Sequence, residues 1–202
     1  SGTDNVAIGT NAAYSSSTAA DSIAIGHDAM SSGVTTGDTN IGIGRTTLNS
    51  LTSGTGNIAL GRSAGKAMVD NEHNIAIGHH ALYTSAGTAD KNIAIGYNAL
   101  GKQAAEELTT GSDNIAIGLT AMGAGITTGD VNIAIGKLAL NNIKGGSSNI
   151  GIGYRALRDT ADTAARNIAI GNQVAFDGQI TGADNIIMGT NAAQVATSLA
   201  EN

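Results

Sequence analysis

The sequence predicts an all-β chain wound as a parallel β-solenoid, a β-roll of about eleven coils, and three observations carry that prediction. One short sentence of sequence, Asn-Ile-Ala-Ile-Gly followed by two variable residues and Ala-Leu, recurs along the 202 residues and is seen whole at Asn92–Leu100. The copies end on Gly9, Gly26, Gly44, Gly61, Gly78, Gly96, Gly118, Gly136, Gly153, Gly171 and Gly189, a period of 17 or 18 residues with one 22-residue interval after Gly96. A fixed short period is the signature of stacked supersecondary units, each able to bury its apolar side only against its neighbours. Within each copy the apolar residues alternate with small ones, which is the period of a strand and not of a helix. The chain has 29 Gly, one Phe, four Tyr and neither Trp, Pro nor Cys, far less aromatic bulk than a globular enzyme core uses.

Each column of the repeat has its own physical reading. Four residues before the glycine stands Asn5, Asn40, Asn57, Asn74, Asn92, Asn114, Asn132, Asn149, Asn167 or Asn185, with Ser22 in the second copy. Identical amides one strand spacing apart, about 4.8 Å, form a ladder that satisfies their own donors and acceptors. The next column and the one just before the glycine are Ile, Val, Leu or Met throughout. The alternation is expected to turn these two β-branched columns into the core and the intervening Ala or Gly outward, as a flat strip of small residues. The glycine makes a bend. Beyond it lies a second short segment with Ala at the third place and, in most copies, Leu or Met at the fourth, for example Met30, Leu48, Leu82, Leu100, Met122, Leu140 and Leu157.

The remaining third of the period is turn chemistry, such as Thr35-Thr36-Gly37-Asp38 and Thr127-Thr128-Gly129-Asp130. Where this slot is longer and Ala-rich, over 101–108 and 159–166, single helical turns are expected. One repeat domain covers 1–193, and 194–202 is a tail or the start of a cap. With few bulky residues per coil, a lone coil cannot fold, and even the stack has a thin core.

Net charge is −6, from 16 acidic and 10 basic residues spread along the chain. That distribution offers no basic stripe for phosphates, so nucleic acid is not an expected partner. No apolar run approaches the length of a membrane span and no leader-like pattern opens the chain, so membrane insertion is not expected. Gly61-Arg62-Ser63-Ala64-Gly65-Lys66 has the wrong glycine spacing for a phosphate loop and Ala67 where a hydroxyl belongs. Gly42-Ile43-Gly44 and Gly151-Ile152-Gly153 fall in the repeat register and lack the third glycine of a dinucleotide fingerprint. Neither catalysis, a cofactor nor a metal site is expected, since His27, His73, His79 and His80 form no ligand set by spacing and the glutamates sit at corners or the terminus.

The column just after each glycine is chemically richer. His27, Arg45, Arg62, His79, Tyr97, Lys137 and Tyr154 stack there, and they are the candidate surface-binding residues, against the simpler reading of a solvated edge that discourages lateral strand pairing.

From Asn5 to Ala193 the copies resemble the head repeats of trimeric autotransporter adhesins, related haemagglutinin-type repeats and phage tail-fibre segments. The resemblance implies a left-handed parallel β-roll, three chains packed side by side as a homotrimer, an extracellular position on a virion tail fibre or bacterial cell surface, and attachment to a host glycan or protein receptor. Autotransporter heads repeat at about 14 residues, so the longer period here fits a virion fibre better. The outward Ala strip is expected to be the surface buried against a sister chain. The competing expectation is a monomeric solenoid that binds ice or a repetitive polymer through a flat Ala or Thr-rich face.

Overall fold

The computed structural model describes residues 2–33, 35–83, 89–101, 111–124, 128–159, 164–175, 180 and 182–193. The helical turns expected over 101–108 and 159–166, and the tail 194–202, lie largely or wholly outside these residues.

Eleven three-residue strands form a single parallel sheet in chain order: β1 Val6–Ile8, β2 Ile23–Ile25, β3 Ile41–Ile43, β4 Ile58–Leu60, β5 Ile75–Ile77, β6 Ile93–Ile95, β7 Ile115–Ile117, β8 Ile133–Ile135, β9 Ile150–Ile152, β10 Ile168–Ile170 and β11 Ile186–Met188. No helix occurs among the described residues. Every strand pairs with its sequence neighbours in strict register, so each repeat column becomes a physical row; Ile93 faces Ile115, Ala94 faces Ala116 and Ile95 faces Ile117. Each coil, numbered here by its strand, advances the stack by one strand spacing. Ten such steps of about 4.8 Å give a rod of about 48 Å.

The in/out assignment of the strand is the reverse of the expected one. Ala59, Ala76, Ala94, Ala116, Ala134 and Ala169 have no solvent exposure, whereas the flanking columns are half-buried or exposed; Ile43, Ile77 and Ile135 keep 36–38% of their surface in water. Alternation separates the two faces of a strand but does not say which one is inside. Cross-sectional volume decides it. A methyl group built on Gly42 would sit 3.3 Å from Met30 Cγ, and one on Gly151 would sit 3.1 Å from Leu140 Cγ. The gap between the strand and the post-glycine segment therefore admits a methyl and no more. Its far wall is the Leu/Met column: Met30, Leu48, Leu82, Leu100, Met122, Leu140 and Leu157 are all at most 2% exposed.

Departures from the consensus keep that volume filled. Coil 4 has Gly65 in place of the leucine, and a methyl there would lie 2.7 Å from Met68 Sδ, so buried Met68 takes the space. Coil 10 exchanges Ala-Leu for Val174-Ala175, both fully buried. In coil 11 Ile187, 9% exposed, stands where other coils have Ala or Gly.

Three non-strand columns run in the left-handed region. Five before the glycine (Asp4 to Asp184), two after it (Asn11 to Asn191) and four after it (Ala13 to Ala193), φ lies between 45° and 66° in every copy. Such residues are costly one at a time. Here the conformation turns N–H groups along the stack, where a neighbouring coil accepts them: Asn98 donates to the His79 carbonyl (3.1 Å) and Leu100 to the Ala121 carbonyl (3.0 Å). The backbone is thus satisfied coil to coil even outside the sheet.

The Asn column lines the core at the strand entrance, fully buried from Asn40 to Asn167. The N–H of Asn57 donates to Oδ1 of Asn40 (3.0 Å), Asn132 to Asn114 (2.8 Å) and Asn185 to Asn167 (3.1 Å). From Asn5 to Asn167 the amide nitrogen donates onward to a turn carbonyl of the next coil, as Asn92 does to Gly111 (3.0 Å) and Asn114 to Gly129 (3.0 Å), while Asn185, the last of the column, donates to Ala183 in its own coil (3.2 Å). Ser22 keeps half of this pattern, its Oγ accepting from the N–H of Asn40 at 3.2 Å.

Candidate functional site

The bend at each glycine throws the next residue out beside the Ile face, and in-register stacking lines those residues up along one rim. The described structure does not unite all seven candidates. His27 lies 2.8 Å from Asp28, Nδ1 to carboxylate. Lys137 and Tyr154 form a separate group, with Lys137 Nζ 5.9 Å and Arg155 Cζ 4.9 Å from the centre of the Tyr154 ring. Leu119, 42% exposed, stands between that group and Tyr97.

The middle group is denser. Arg62, His79 and Tyr97 follow one another on coils 4, 5 and 6, with Arg45 one coil earlier. The His79 ring stacks on His80 at 3.8 Å between centroids and tilts against Tyr97 at 5.2 Å; His80 in turn meets Tyr83 at 4.6 Å, and Lys66 Nζ lies 5.7 Å from the centre of the Tyr83 ring. Burial beneath these neighbours, then the charges of His79, Arg62 and Lys66, hold the His80 pKa below the usual histidine value. His80, Lys66, Tyr83 and Arg155 were not among the sequence candidates. The signal that could have found them is positional: they occupy the second and fifth places after the glycine, on the same outer turn as the candidates.

Folding also sorts charge that looks evenly spread in the sequence. In coils 3 to 9 the five residues after each glycine include Arg45, Arg62, Lys66, Lys137, Arg155 and Arg158 and no Asp or Glu. The opposite rim, five or six residues before the glycine, carries Asp4, Asp21, Asp38, Glu72, Asp90, Asp113, Asp130 and Asp184. Some of these carboxylates also accept backbone N–H groups from the preceding coil, as Asp38 does from Ala20 (2.7 Å) and Asp130 from Ser112 (2.7 Å). Arg166 makes a two-pronged pair with Asp184 on that rim, at 2.6 and 2.8 Å. Between a basic and an acidic rim runs the Ile face: two columns of eleven positions, every one apolar.

Among the described residues no group of three or more His, Asp or Glu is placed to hold a metal ion, and no helix is long and apolar enough to cross a membrane. No protein-family model, curated protein or solved structure matches the chain.

Proposed function

We propose that the chain is a segment of an extracellular attachment fibre, from a phage tail or a bacterial surface, in which three copies pack side by side and no reaction is catalysed. The observation that carries this reading is the Ile face. It runs the length of the rod unbroken by any polar side chain, and a three-residue strand width of about 10 Å over about 48 Å amounts to an apolar surface of about 500 Å². A strip of that area matches the largest apolar patch of a typical soluble protein, the patch that most often serves a function. Three such strips turned toward a common axis would cover one another, supplying the apolar burial that a methyl-and-leucine core lacks.

The rims favour the same arrangement. Rotation about an axis parallel to the stack sets the basic rim of one copy against the acidic rim of the next, whereas antiparallel face-to-face packing sets like charges together. Arg45 shares its coil with Asp38, and Lys137 shares its coil with Asp130, at opposite edges of the sheet. In a rotational assembly these would become neighbours across copies. The surface turned to a sister chain is therefore the Ile face and not the Ala strip. Burial of the Ala strip takes away one of the two flat faces open to the alternative of a monomeric ice- or polymer-binding solenoid and leaves it the Thr-rich one.

Light scattering on the purified chain tests the assembly: three times 19.9 kDa, or 59.7 kDa, is the expected mass, and Ile95→Glu should release folded monomers. A folded wild-type monomer near 20 kDa at micromolar concentration would overturn it. Attachment is tested by binding of the labelled trimer to host cells, and its absence from every surface tried would leave a spacer rather than an adhesive.

A further inference from the structure

We infer that the outer turn of coils 4 to 6, built by Arg62, Lys66, His79, His80, Tyr83 and Tyr97, is a binding site for an acidic saccharide carrying carboxylate or sulfate groups. The inference deepens the adhesive half of the proposed function and rests on it: in a side-by-side assembly the Arg62 column borders the next copy, and the site is open on the side of Lys66 and Tyr83, away from the Ile face.

Three independent features meet on this turn. The first is charge left uncompensated within its own chain. Arg62 and Lys66 have no carboxylate partner among the described residues, and no Asp or Glu occurs at the five post-glycine places of coils 3 to 6, in a chain whose net charge is −6. The second is a continuous cluster of rings, Tyr97 to His79 to His80 to Tyr83, with successive centroids 5.2, 3.8 and 4.6 Å apart; the histidines stack on one another and Tyr97, 46% exposed, ends the run. Ring faces pack against the C–H side of a sugar, while guanidinium and ammonium groups take its anionic substituents. The third is unused hydrogen-bonding capacity. His79 Nε2 and Asn98 Oδ1, one on coil 5 and one on coil 6 next to Tyr97, are buried polar atoms without a partner. Buried polar atoms are ordinarily satisfied, and hydroxyl-bearing ligands meet donors and acceptors alike.

The dimensions fit a short oligosaccharide. Arg62, His79 and Tyr97 lie on three consecutive coils, so the ends of the row are about 10 Å apart, and Lys66 and Tyr83 widen it away from the Ile face by one further turn of chain. A shallow, open surface of this kind recognises a polymer side chain or terminus and not an enclosed small molecule. The stack sets it apart from a phosphate loop, since the contacts come from side chains on neighbouring coils and not from backbone amides of one loop.

Isothermal titration of the intact assembly tests it, with a sulfated chondroitin tetrasaccharide, 3′-sialyllactose and lactose as probes at low and at physiological salt. Binding of the sulfated or of the sialylated probe identifies the source of the acid; lactose should bind at least tenfold more weakly than either. Arg62→Ala with Lys66→Ala should weaken the bound probe at least tenfold, and Tyr97→Ala, which leaves the charge unchanged, at least threefold. Lys144→Ala should change nothing. Failure of both acidic probes to bind overturns the inference, and so does loss in the charge variant with Tyr97→Ala unaffected, which would mean unspecific ion pairing. Light scattering on each variant separates this from the assembly: a trimer that does not bind refutes the site alone, and a monomer that binds refutes the assembly alone.

Discussion

Replacing Gly96 by alanine tests whether the repeat glycine is required by the stack or only by its own backbone. Gly96 has φ +132°, a region side chains rarely enter, and a methyl there would lie 2.5 Å from the Gly118 carbonyl oxygen and 2.8 Å from its carbon. Those atoms belong to the backbone of the next coil, locked by the Ile93–Ile95 pairing, so they cannot swing aside. Gly189 supplies the control. Its φ is +118°, but its methyl would meet nothing closer than Ala192 Cβ at 4.0 Å. Both variants carry the conformational strain, about 1–3 kcal/mol, while Gly96→Ala alone adds the overpacking cost, about 1–3 kcal/mol. Gly96→Ala should therefore lose about 2 kcal/mol more than Gly189→Ala. Urea denaturation followed by circular dichroism at equal protein concentrations reads the difference, since mass action is then the same for both. Equal losses would refute the argument that coil-to-coil contact forces the glycine.

Asn114→Ala removes the acceptor for the Asn132 N–H and the donor to the Gly129 carbonyl, leaving buried groups unpaired at a cost of about 2–4 kcal/mol in the same denaturation assay. Asn114→Ser, which copies Ser22, should cost less, and a reversed order would contradict the ladder. Ala116→Val enlarges a side chain with no room around it and should destabilise the fold by about 1–3 kcal/mol, whereas Ile115→Thr should leave the coil folded and weaken assembly, as light scattering would show. The hydrogen bonds from Arg166 hold the Asp184 carboxyl below its ordinary pKa, so the pair favours folding above that value and the benefit fades as pH falls through the lowered one. Arg166→Ala should raise the Asp184 midpoint in an NMR titration, and an unmoved midpoint would count against the pair.

Register, period and the Asn column were legible because they are properties of composition at fixed spacing, and parallel stacking converts each into a row. The orientation of the strand was not. Ile-Ala-Ile reads identically whichever way it faces, and only the distance to Met30 or Leu140 across the coil settles that the methyl goes inside. The left-handed columns were half legible. Asp4, Asp21, Asp113 and Asp184 on one side, and Asn11, Asn98 and Asn191 on the other, are residues that tolerate positive φ, but Leu48, Leu100 and Leu140 adopt it against their own preference, and Gly65 is the single glycine in that column. Of the proposed binding turn, the sequence exposed Arg62, His79 and Tyr97 as one column. Lys66, His80 and Tyr83 come to them only because the chain turns again within four residues.

The same geometry explains why an apolar face survives on the outside. A coil of 17 or 18 residues encloses a section that one leucine, two methyls and the buried Asn nearly fill, with Leu51 or Ile143 added in some coils, so large residues in the strand have only the outer side to occupy. Nothing in the coil's own packing requires them there; Thr or Lys at those positions would keep the sheet paired and the surface wet. That all eleven coils instead place two large apolar residues on that face, and that the face is bordered by cations on one side and carboxylates on the other, gives the outer surface the pattern of an interface core with a polar rim. Folding of a single chain has no use for that pattern, whereas the proposed side-by-side assembly would use it at every coil.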